Sequence, residues 1–355
     1  GAGAFLVGFI TGMNGTVSLF LRLPFSFLSD YLHKRKIFIT ASILFTFLAA
    51  LIVCFWQSPA SLIISRALAG VSMSTWMHYT VLFASYYPKE KMGYAVGMVN
   101  AIIVLGDFAG TFLCGFLAPR FGEISTYLAA ALLALAALIL CLLFIKEKVP
   151  EKQGHLSLPE LFSVMKMPVV VFYSVLSAVA LYIFFATGPA FTPLVAVENF
   201  AADQVQLSVL SALSLAATFA SCLVCGLIPR WMTGKQVIAG SFLLILLANA
   251  LTPYLPHFGL LCAAQTLNSF FSNFLSVYLQ VLVIAAVAPK LETAATGFFQ
   301  TIYALGIAFG PIGTGILQNM TGNYGITYLL LSLLPLAAML WTIVWDRKRP
   351  IDIRI

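Results

Sequence analysis

Apolar stretches long enough to cross a lipid bilayer recur along the whole 355-residue chain. An α-helix needs about 20 apolar residues to cross a hydrocarbon core of roughly 30 Å. Hydrophobic residues make up 61% of the chain and charged residues 9%, whereas a soluble domain carries about 25% charged residues. The sequence therefore predicts an all-α polytopic membrane protein. It excludes a water-soluble enzyme, and also an outer-membrane barrel with short alternating strands.

Hydropathy predicts eleven spans, separated by short polar joints. Their approximate bounds are 3–28, 37–56, 61–85, 94–118, 125–145, 167–191, 205–228, 236–255, 258–287, 294–317 and 325–345. The joint at 146–166 is longer than the others and contains several charges and prolines, which is typical of a linker.

Positive charge lies almost entirely on one side of these spans. All of the 19 Lys and Arg residues except Arg22, Arg66 and Arg120 lie in alternate joints or in the C-terminal tail. The positive-inside rule makes that side cytoplasmic. We therefore expect a cytoplasmic linker and C-terminus in a bacterial inner membrane protein. The net charge of +7 is then an orientation signal rather than a sign of nucleic-acid binding.

Two helices that lie 200 residues apart carry the same glycine spacing. The first is Gly97-x8-Gly106-x3-Gly110-Thr111-x2-Cys114-Gly115, and the second is Gly297-x8-Gly306-x3-Gly310-Pro311-x2-Thr314-Gly315. Small residues at such spacings allow close helix packing and are candidates for packing and gating. The repeat predicts two halves of parallel topology, related by an axis along the membrane normal.

The repeat also assigns the domain organisation. The N-terminal half is 1–145, the linker 146–166, the C-terminal half 167–345 and the cytoplasmic tail 346–355. The span at 167–191 has no counterpart 200 residues earlier, so we expect a fold of twelve helices of which the first precedes residue 1.

The joint that follows the first span resembles a signature of the major facilitator superfamily, Gly-x-Leu-Ala-Asp-Arg-x-Gly-Arg-Arg. In this chain the segment reads Ser-Phe-Leu-Ser-Asp-Tyr-Leu-His-Lys-Arg-Lys over residues 26–36, so that Asp30, Lys34 and Arg35 match. The resemblance implies that this loop latches the outward-facing state, with Asp30 at the cytoplasmic end of the eleventh family helix. A carboxylate at a helix N-terminus is stabilised by the helix dipole.

Two further segments resemble motifs of the same family, and the resemblance covers essentially the whole chain. Residues 62–74, with Arg66, are similar to the motif of the fourth family helix, whose buried Arg is tied to proton coupling in antiporters. The 97–115 pattern resembles the fifth-helix motif of drug:proton antiporters, although Thr111 replaces a Pro and Cys114 a Gly.

Two charged side chains within the spans are candidates for coupling. An unpaired Arg66 would be costly inside a membrane. It therefore either takes part in coupling or substrate contact, or is a structural residue that snorkels or binds backbone carbonyls. Asp107 lies mid-helix, where a carboxyl group could exchange protons, and its alternative is a permanent pair with Arg66 or Arg22. Arg22, two turns before Asp30, is expected to be a latch or gate contact.

A polar stripe marks the tenth family helix, with Gln265, Asn268 and Ser272 at helical spacing. Polar groups inside an apolar helix must face protein or water, so this stripe predicts either substrate contacts or hydrogen bonds between helices. The full set of predicted cavity residues is Tyr79, Asn100, Tyr182, Gln265, Asn268, Ser272, Gln300 and Tyr303. His78 is expected to be a hydrogen-bonding partner between helices.

These features predict a secondary active transporter that works by alternating access, with proton-coupled efflux of a small amphiphilic organic compound as the first hypothesis. A proton symporter or uniporter for a sugar or organic acid is an alternative, and the two Arg residues within the spans suit an anion. A third alternative is a receptor or scaffold without transport activity. The sequence shows no nucleotide-binding loop, nucleophile elbow or metal-ligand cluster, so we expect no cofactor, no metal and no enzymatic activity. The resemblance to the family implies a monomer.

Overall fold

The computed structural model describes residues 3–32, 34–88, 92–147, 158–225, 233–288 and 291–348, and these residues are helical apart from short connections. The α-helices of the described chain are α1 (Ala4–Leu32), α2 (Lys36–Phe55), α3 (Pro59–Ser74), α4 (Trp76–Ser85), α5 (Met92–Phe121), α6 (Ile124–Phe144), α7 (Leu158–Met165), α8 (Pro168–Ala186), α9 (Thr192–Phe200), α10 (Gln204–Cys225), α11 (Gly234–Leu251), α12 (Phe258–Ala285), α13 (Glu292–Thr321), α14 (Tyr324–Leu331) and α15 (Leu333–Lys348).

Ten segments of the described chain are long and apolar enough to cross a membrane. The remaining predicted span, 61–85, is divided at Thr75 into α3 and α4. The Thr75 hydroxyl donates to the Ser72 carbonyl at 2.7 Å, and the Ser74 hydroxyl donates to the Val71 carbonyl at 2.6 Å. At the break itself the Thr75 backbone leaves the helical conformation, with φ −91° and ψ 4°, and its N–H donates to the Ser72 carbonyl at 3.1 Å, three residues back instead of four.

The span predicted at 167–191 continues further, through Pro168–Phe200. A π-helical turn, Thr187–Phe191, joins α8 to α9. Pro189 lies inside this turn and has no N–H with which to make the usual i to i−4 bond. The chain widens there by one residue per turn and then resumes as α9.

Contacts divide the chain into two compact units, one of residues 1–12 with 156–355 and one of residues 13–155. Helix α1 contributes to both. Its first residues pack on α13, where Gly8 approaches the Pro311 carbonyl so closely that a Cβ could not be accommodated. A Cβ at Gly12 would lie 2.7 Å from the Ala308 carbonyl oxygen. Two glycines one turn apart thus allow two helix backbones to touch.

The larger unit is built around α8, which packs against α12 and α13, while α11 packs against α12 and α15. Its core consists of large apolar side chains, and Phe172 stacks on Trp345 with ring centroids 4.2 Å apart. Its largest fully buried apolar members include Phe172, Leu176, Ile183, Ile238, Phe242, Ile245 and Phe299. Close packing of this kind stabilises helix association in lipid, where hydrophobic burial supplies little.

The smaller unit packs α2 between α3 and α6. A Cβ at Gly70 would lie 2.6 Å from the Asn14 carbonyl oxygen, so α3 also touches α1 closely. Helix α5 contacts α4 and α6 along part of its length, yet most of its side chains from Ile102 onward are exposed. This exposed helix carries Asp107.

Candidate functional site

The π-helical turn lies against the polar stripe of α12. There the Asn268 side-chain amide donates to the Thr187 hydroxyl at 2.8 Å, and Thr187 donates to the Ile183 carbonyl at 2.8 Å. The Ser272 hydroxyl donates to the Asn268 side-chain oxygen at 3.3 Å. The three side chains form one directed chain of hydrogen bonds that ends on the backbone of α8.

A second chain lies one turn away. The Thr192 hydroxyl donates to the Gln265 side-chain oxygen at 3.1 Å, and the Gln265 amide donates to the Ser269 hydroxyl at 3.2 Å. Thr192 also lies 3.0 Å from the Tyr328 hydroxyl. A hydroxyl has one proton to donate, so Tyr328 is the donor in that bond. A Cβ at Gly188 would lie 2.9 Å from the Gln265 amide nitrogen, so glycine admits the Gln265 side chain.

Both chains are buried, and they join α8, α9, α12 and α14 of one unit. Hydrogen bonds between membrane helices are worth about 0.6 kcal/mol each on average. This geometry corresponds to the alternative in which the stripe bonds between helices. Asn273 extends the pattern to α10, where its amide donates to the Ser221 hydroxyl at 2.8 Å. A substrate-binding role for Gln265, Asn268 and Ser272 stays a prediction.

The remaining predicted cavity residues of this unit lie on α8 and α13. Tyr182 is half-buried, and its hydroxyl sits where a Cβ at Gly313 would project. Tyr303 is half-buried and makes an edge contact with Phe299 at 5.6 Å. Gln300 is also half-buried. Their predicted roles are untested.

In the smaller unit, Tyr79 and His78 bond to neighbouring helices. The Tyr79 and Ser42 hydroxyls are 2.6 Å apart. The His78 ring lies 3.2 Å from the Thr75 carbonyl and 3.3 Å from the Phe25 carbonyl, through its two nitrogens, and it stacks on Phe38. His78 therefore connects the broken α3–α4 span to α1 and α2, which is the geometry of a bonding partner between helices.

Arg66 and Asp107 are both exposed on their helices, α3 and α5. Within the part of the chain that the structure describes, neither makes a hydrogen bond or an ion pair with another side chain. Arg22 is 9% exposed on α1. The side chains of Asp30 and Asn100 lie outside the described residues, so the predicted contacts of Asp30 with the latch and of Asn100 with the cavity stay predictions.

A contact at the start of α2 was not foreseen from the sequence. The Glu147 carboxylate accepts the backbone N–H groups of Arg35 and Lys36 at 2.9 and 2.8 Å. The Lys36 ammonium in turn donates to the Leu142 carbonyl at 3.1 Å. The available signal was charge complementarity, because an acid just beyond α6 faces the basic run 34–36. Lys34 itself is exposed.

The glycine faces of α5 and α13 have different surroundings. A Cβ at Gly310 would lie 2.6 Å from the Tyr182 carbonyl oxygen, and one at Gly306 would overlap the Ala178 carbonyl. At Gly106 and Gly110 nothing lies within 4 Å of such a Cβ. Gly315 packs on α1, with a Cβ position 2.8 Å from the Ala4 carbonyl oxygen. The contacts of Gly97, Gly115 and Gly297 stay predictions.

Comparisons with known proteins agree with this architecture. The chain is 32% identical over 178 residues to the multi-drug resistance efflux pump PmrA of Streptococcus pneumoniae, and the match covers 47% of this chain and 43% of PmrA. The match therefore spans less than half the length of that relative. The chain is also 22% identical over 315 residues to the probable nitrate transporter NarT of Staphylococcus aureus, covering 88% of this chain and 79% of NarT.

A solved structure shares the fold. The crystal structure of the nucleoside transporter NupG superimposes with a TM-score of 0.81 at 14% identity, over 97% of this chain and 90% of NupG. A family model described as the Major Facilitator Superfamily matches residues 1–233 and 174–353. The described chain is that of an integral membrane protein with ten candidate spans, and it belongs to the Major Facilitator Superfamily.

Proposed function

We propose that this protein is a secondary active transporter that uses alternating access to drive proton-coupled efflux of a small amphiphilic organic compound. Support comes from the family and from the similarity to a protein named as a multi-drug efflux pump. The proposed halves are 1–145 and 167–345, with the linker and C-terminus cytoplasmic in a bacterial inner membrane. Asp30, Lys34, Arg35 and Arg22 form the proposed cytoplasmic latch, and the protein works as a monomer.

The observation that carries the proton-coupling part of the proposal is Asp107. Its carboxyl group is exposed within Ile102–Phe121, a segment apolar enough to cross the membrane. No described side chain pairs with it. A charged carboxylate inside a membrane is costly unless water or a partner stabilises it, so the group is protonated, hydrated or paired at each stage of the cycle. A carboxyl group that changes between these conditions during the cycle would carry a proton. Arg66 is the proposed second coupling residue.

The proposal is tested in everted vesicles with an acid interior, where a pH-sensitive dye reports proton release on addition of substrate. Wild type is compared with Asp107→Asn, and Glu123→Gln is the matched control. Glu123 is an acid just beyond the end of the same helix, exposed and outside the apolar segment. Ethidium serves as a cationic amphiphile and nitrate as an inorganic anion.

If ethidium dissipates the gradient with wild type and Glu123→Gln but not with Asp107→Asn, proton-coupled efflux through Asp107 is supported. Equal responses in all three proteins would leave efflux standing and remove Asp107 from coupling. A folded wild-type protein that moves neither protons nor ethidium would contradict proton-coupled efflux of amphiphilic cations.

Anion transport is the second candidate function, and Arg66 favours it. This guanidinium is exposed on α3 and has no acidic partner among the described residues. Guanidinium groups bind planar oxyanions through paired donors, and NarT matches most of the chain. Nitrate uptake that is lost in Arg66→Gln and weakened in Arg66→Lys, without any ethidium response, would establish this candidate instead.

A further inference from the structure

Two helix ends of the smaller unit cap each other with opposite charges. Glu147, just beyond α6, lies against the N-terminus of α2, and Lys36, the first residue of α2, reaches the last turn of α6. Helices α2 and α6 also pack together along their length. The contact therefore closes one end of an existing helix pair.

The arrangement satisfies groups that a helix leaves unpaired. The first N–H groups of α2 have no partner inside the helix, and neither do the last carbonyls of α6. Glu147 accepts two of those N–H groups, and Lys36 donates to the carbonyl of Leu142. A carboxylate at a helix N-terminus and an ammonium at a C-terminus are also stabilised by the helix dipoles. The side chain of Arg35, the N-cap residue of α2, makes no cap bond of its own.

A third helix end reaches the same place. The Tyr86 hydroxyl, just after α4, donates to the Lys146 carbonyl. Partial desolvation and then the negative charge of Glu147 raise the pKa of the Tyr86 phenol. Residues 146–147 are therefore held by the ends of α2 and α4 at the point where the linker begins.

We propose that Glu147 is a positioning residue that holds the basic loop 34–36 and the start of the linker to the end of α6, so that they move as one piece during transport. This proposal rests on the proposed transport function. It adds to the latch a residue that lies more than 100 positions away in sequence from the loop that it holds.

Hydrogen exchange of backbone amides in the full chain tests whether Glu147 holds the loop 34–36. In Glu147→Ala the backbone amides of Arg35 and Lys36 lose their acceptor, and we expect them to exchange at least about tenfold faster. Glu147→Asp should restore part of the protection, and Lys36→Met should leave the Arg35 amide protected. Glu123→Ala is the control for loss of an exposed acid. Unchanged exchange in Glu147→Ala would overturn the proposal.

Transport kinetics of whichever probe the wild type moves, ethidium or nitrate, test the functional part. We expect Glu147→Ala to lower the maximal rate several-fold with an unchanged KM, and Glu147→Asp to recover part of it. Lost amide protection with an unchanged rate would make Glu147 only a helix cap and overturn its positioning role. If the wild type transports neither probe, the proposed function fails and the transport role of Glu147 fails with it. The exchange experiment still decides separately whether Glu147 holds the loop.

Discussion

Helices α5 and α13 carry the same glycine spacing in opposite surroundings. In the most apolar stretch of α5, 6% of the residues are buried, whereas in that of α13 the share is 44%. Gly306 and Gly310 touch the backbone of α8, whereas the corresponding Gly106 and Gly110 have open space where a side chain would start. The repeat also pairs Cys114, which is exposed, with Thr314, which is fully buried.

The difference teaches what the pattern encodes. Glycines one turn apart mark a helix face on which another backbone can rest. In α13 that face is used by α8 within the same unit. In α5 no described residue covers it, and Asp107 lies between the two glycines along the helix. The repeat predicts that a helix equivalent to α8 covers this face of α5, and this stays a prediction.

Substitution of the paired glycines should give the largest contrast. Gly310→Leu should prevent stable folding, because its Cβ alone would lie 2.6 Å from a backbone carbonyl oxygen. Gly310→Ala should destabilise by about 1–3 kcal/mol through overpacking. In this chain, Gly110→Ala should be neutral or stabilise by up to about 1 kcal/mol, because alanine favours the helix and no described atom lies within 4 Å of its Cβ.

Thermal unfolding of the detergent-solubilised protein measures this contrast, with size-exclusion chromatography as the readout of the folded fraction. Gly110→Ala is the matched control for Gly310→Ala. Equal losses at positions 110 and 310 would mean that α5 is packed as closely as α13, as a helix equivalent to α8 on this face would require, and the contrast between the two helices would fail.

Thiol labelling should separate the two faces next. A protein that keeps only Cys114 should react with N-ethylmaleimide in native membranes, whereas a protein that keeps only Thr314→Cys should react only after unfolding in detergent. The first side chain is exposed and the second is fully buried. Because the thiolate is the reactive form, labelling of Cys114 also requires water at this face. An unreactive native Cys114 would place lipid or protein there and argue against a hydrated Asp107.

The sequence predicted much of this fold because hydropathy and charge report directly on the bilayer. The spans, the polar stripe of α12 and the repeat all depend on which side chains lipid tolerates. The break at Thr75 could not be read from hydropathy, because it is a local change of backbone conformation and hydrogen bonding that leaves the apolar pattern intact. The π-helical turn at Pro189 has a similarly local cause.

The site was less predictable than the spans. A stripe such as Gln265, Asn268 and Ser272 is equally suited to binding substrate and to bonding its neighbours, and only the distances distinguish the two. The role of Glu147 depends on a contact between residues far apart in the chain. Glycine spacing, likewise, predicts the face but not its partner.

The smallest effect is expected where the repeat breaks. Position 313 is Gly in α13, whereas position 113 is Leu in α5. The Cβ of Gly313→Ala would meet the Tyr182 hydroxyl, which is the end of a side chain that can move, so the loss should be only about 1 kcal/mol. Tyr182→Phe removes that hydroxyl. In the Tyr182→Phe protein, Gly313→Ala should therefore lower the unfolding temperature less than it does in the wild-type protein. Thermal unfolding of the four proteins measures this coupling. Strictly additive losses would show that the hydroxyl is not what requires glycine at 313, and the absence of glycine at position 113 would then need another explanation.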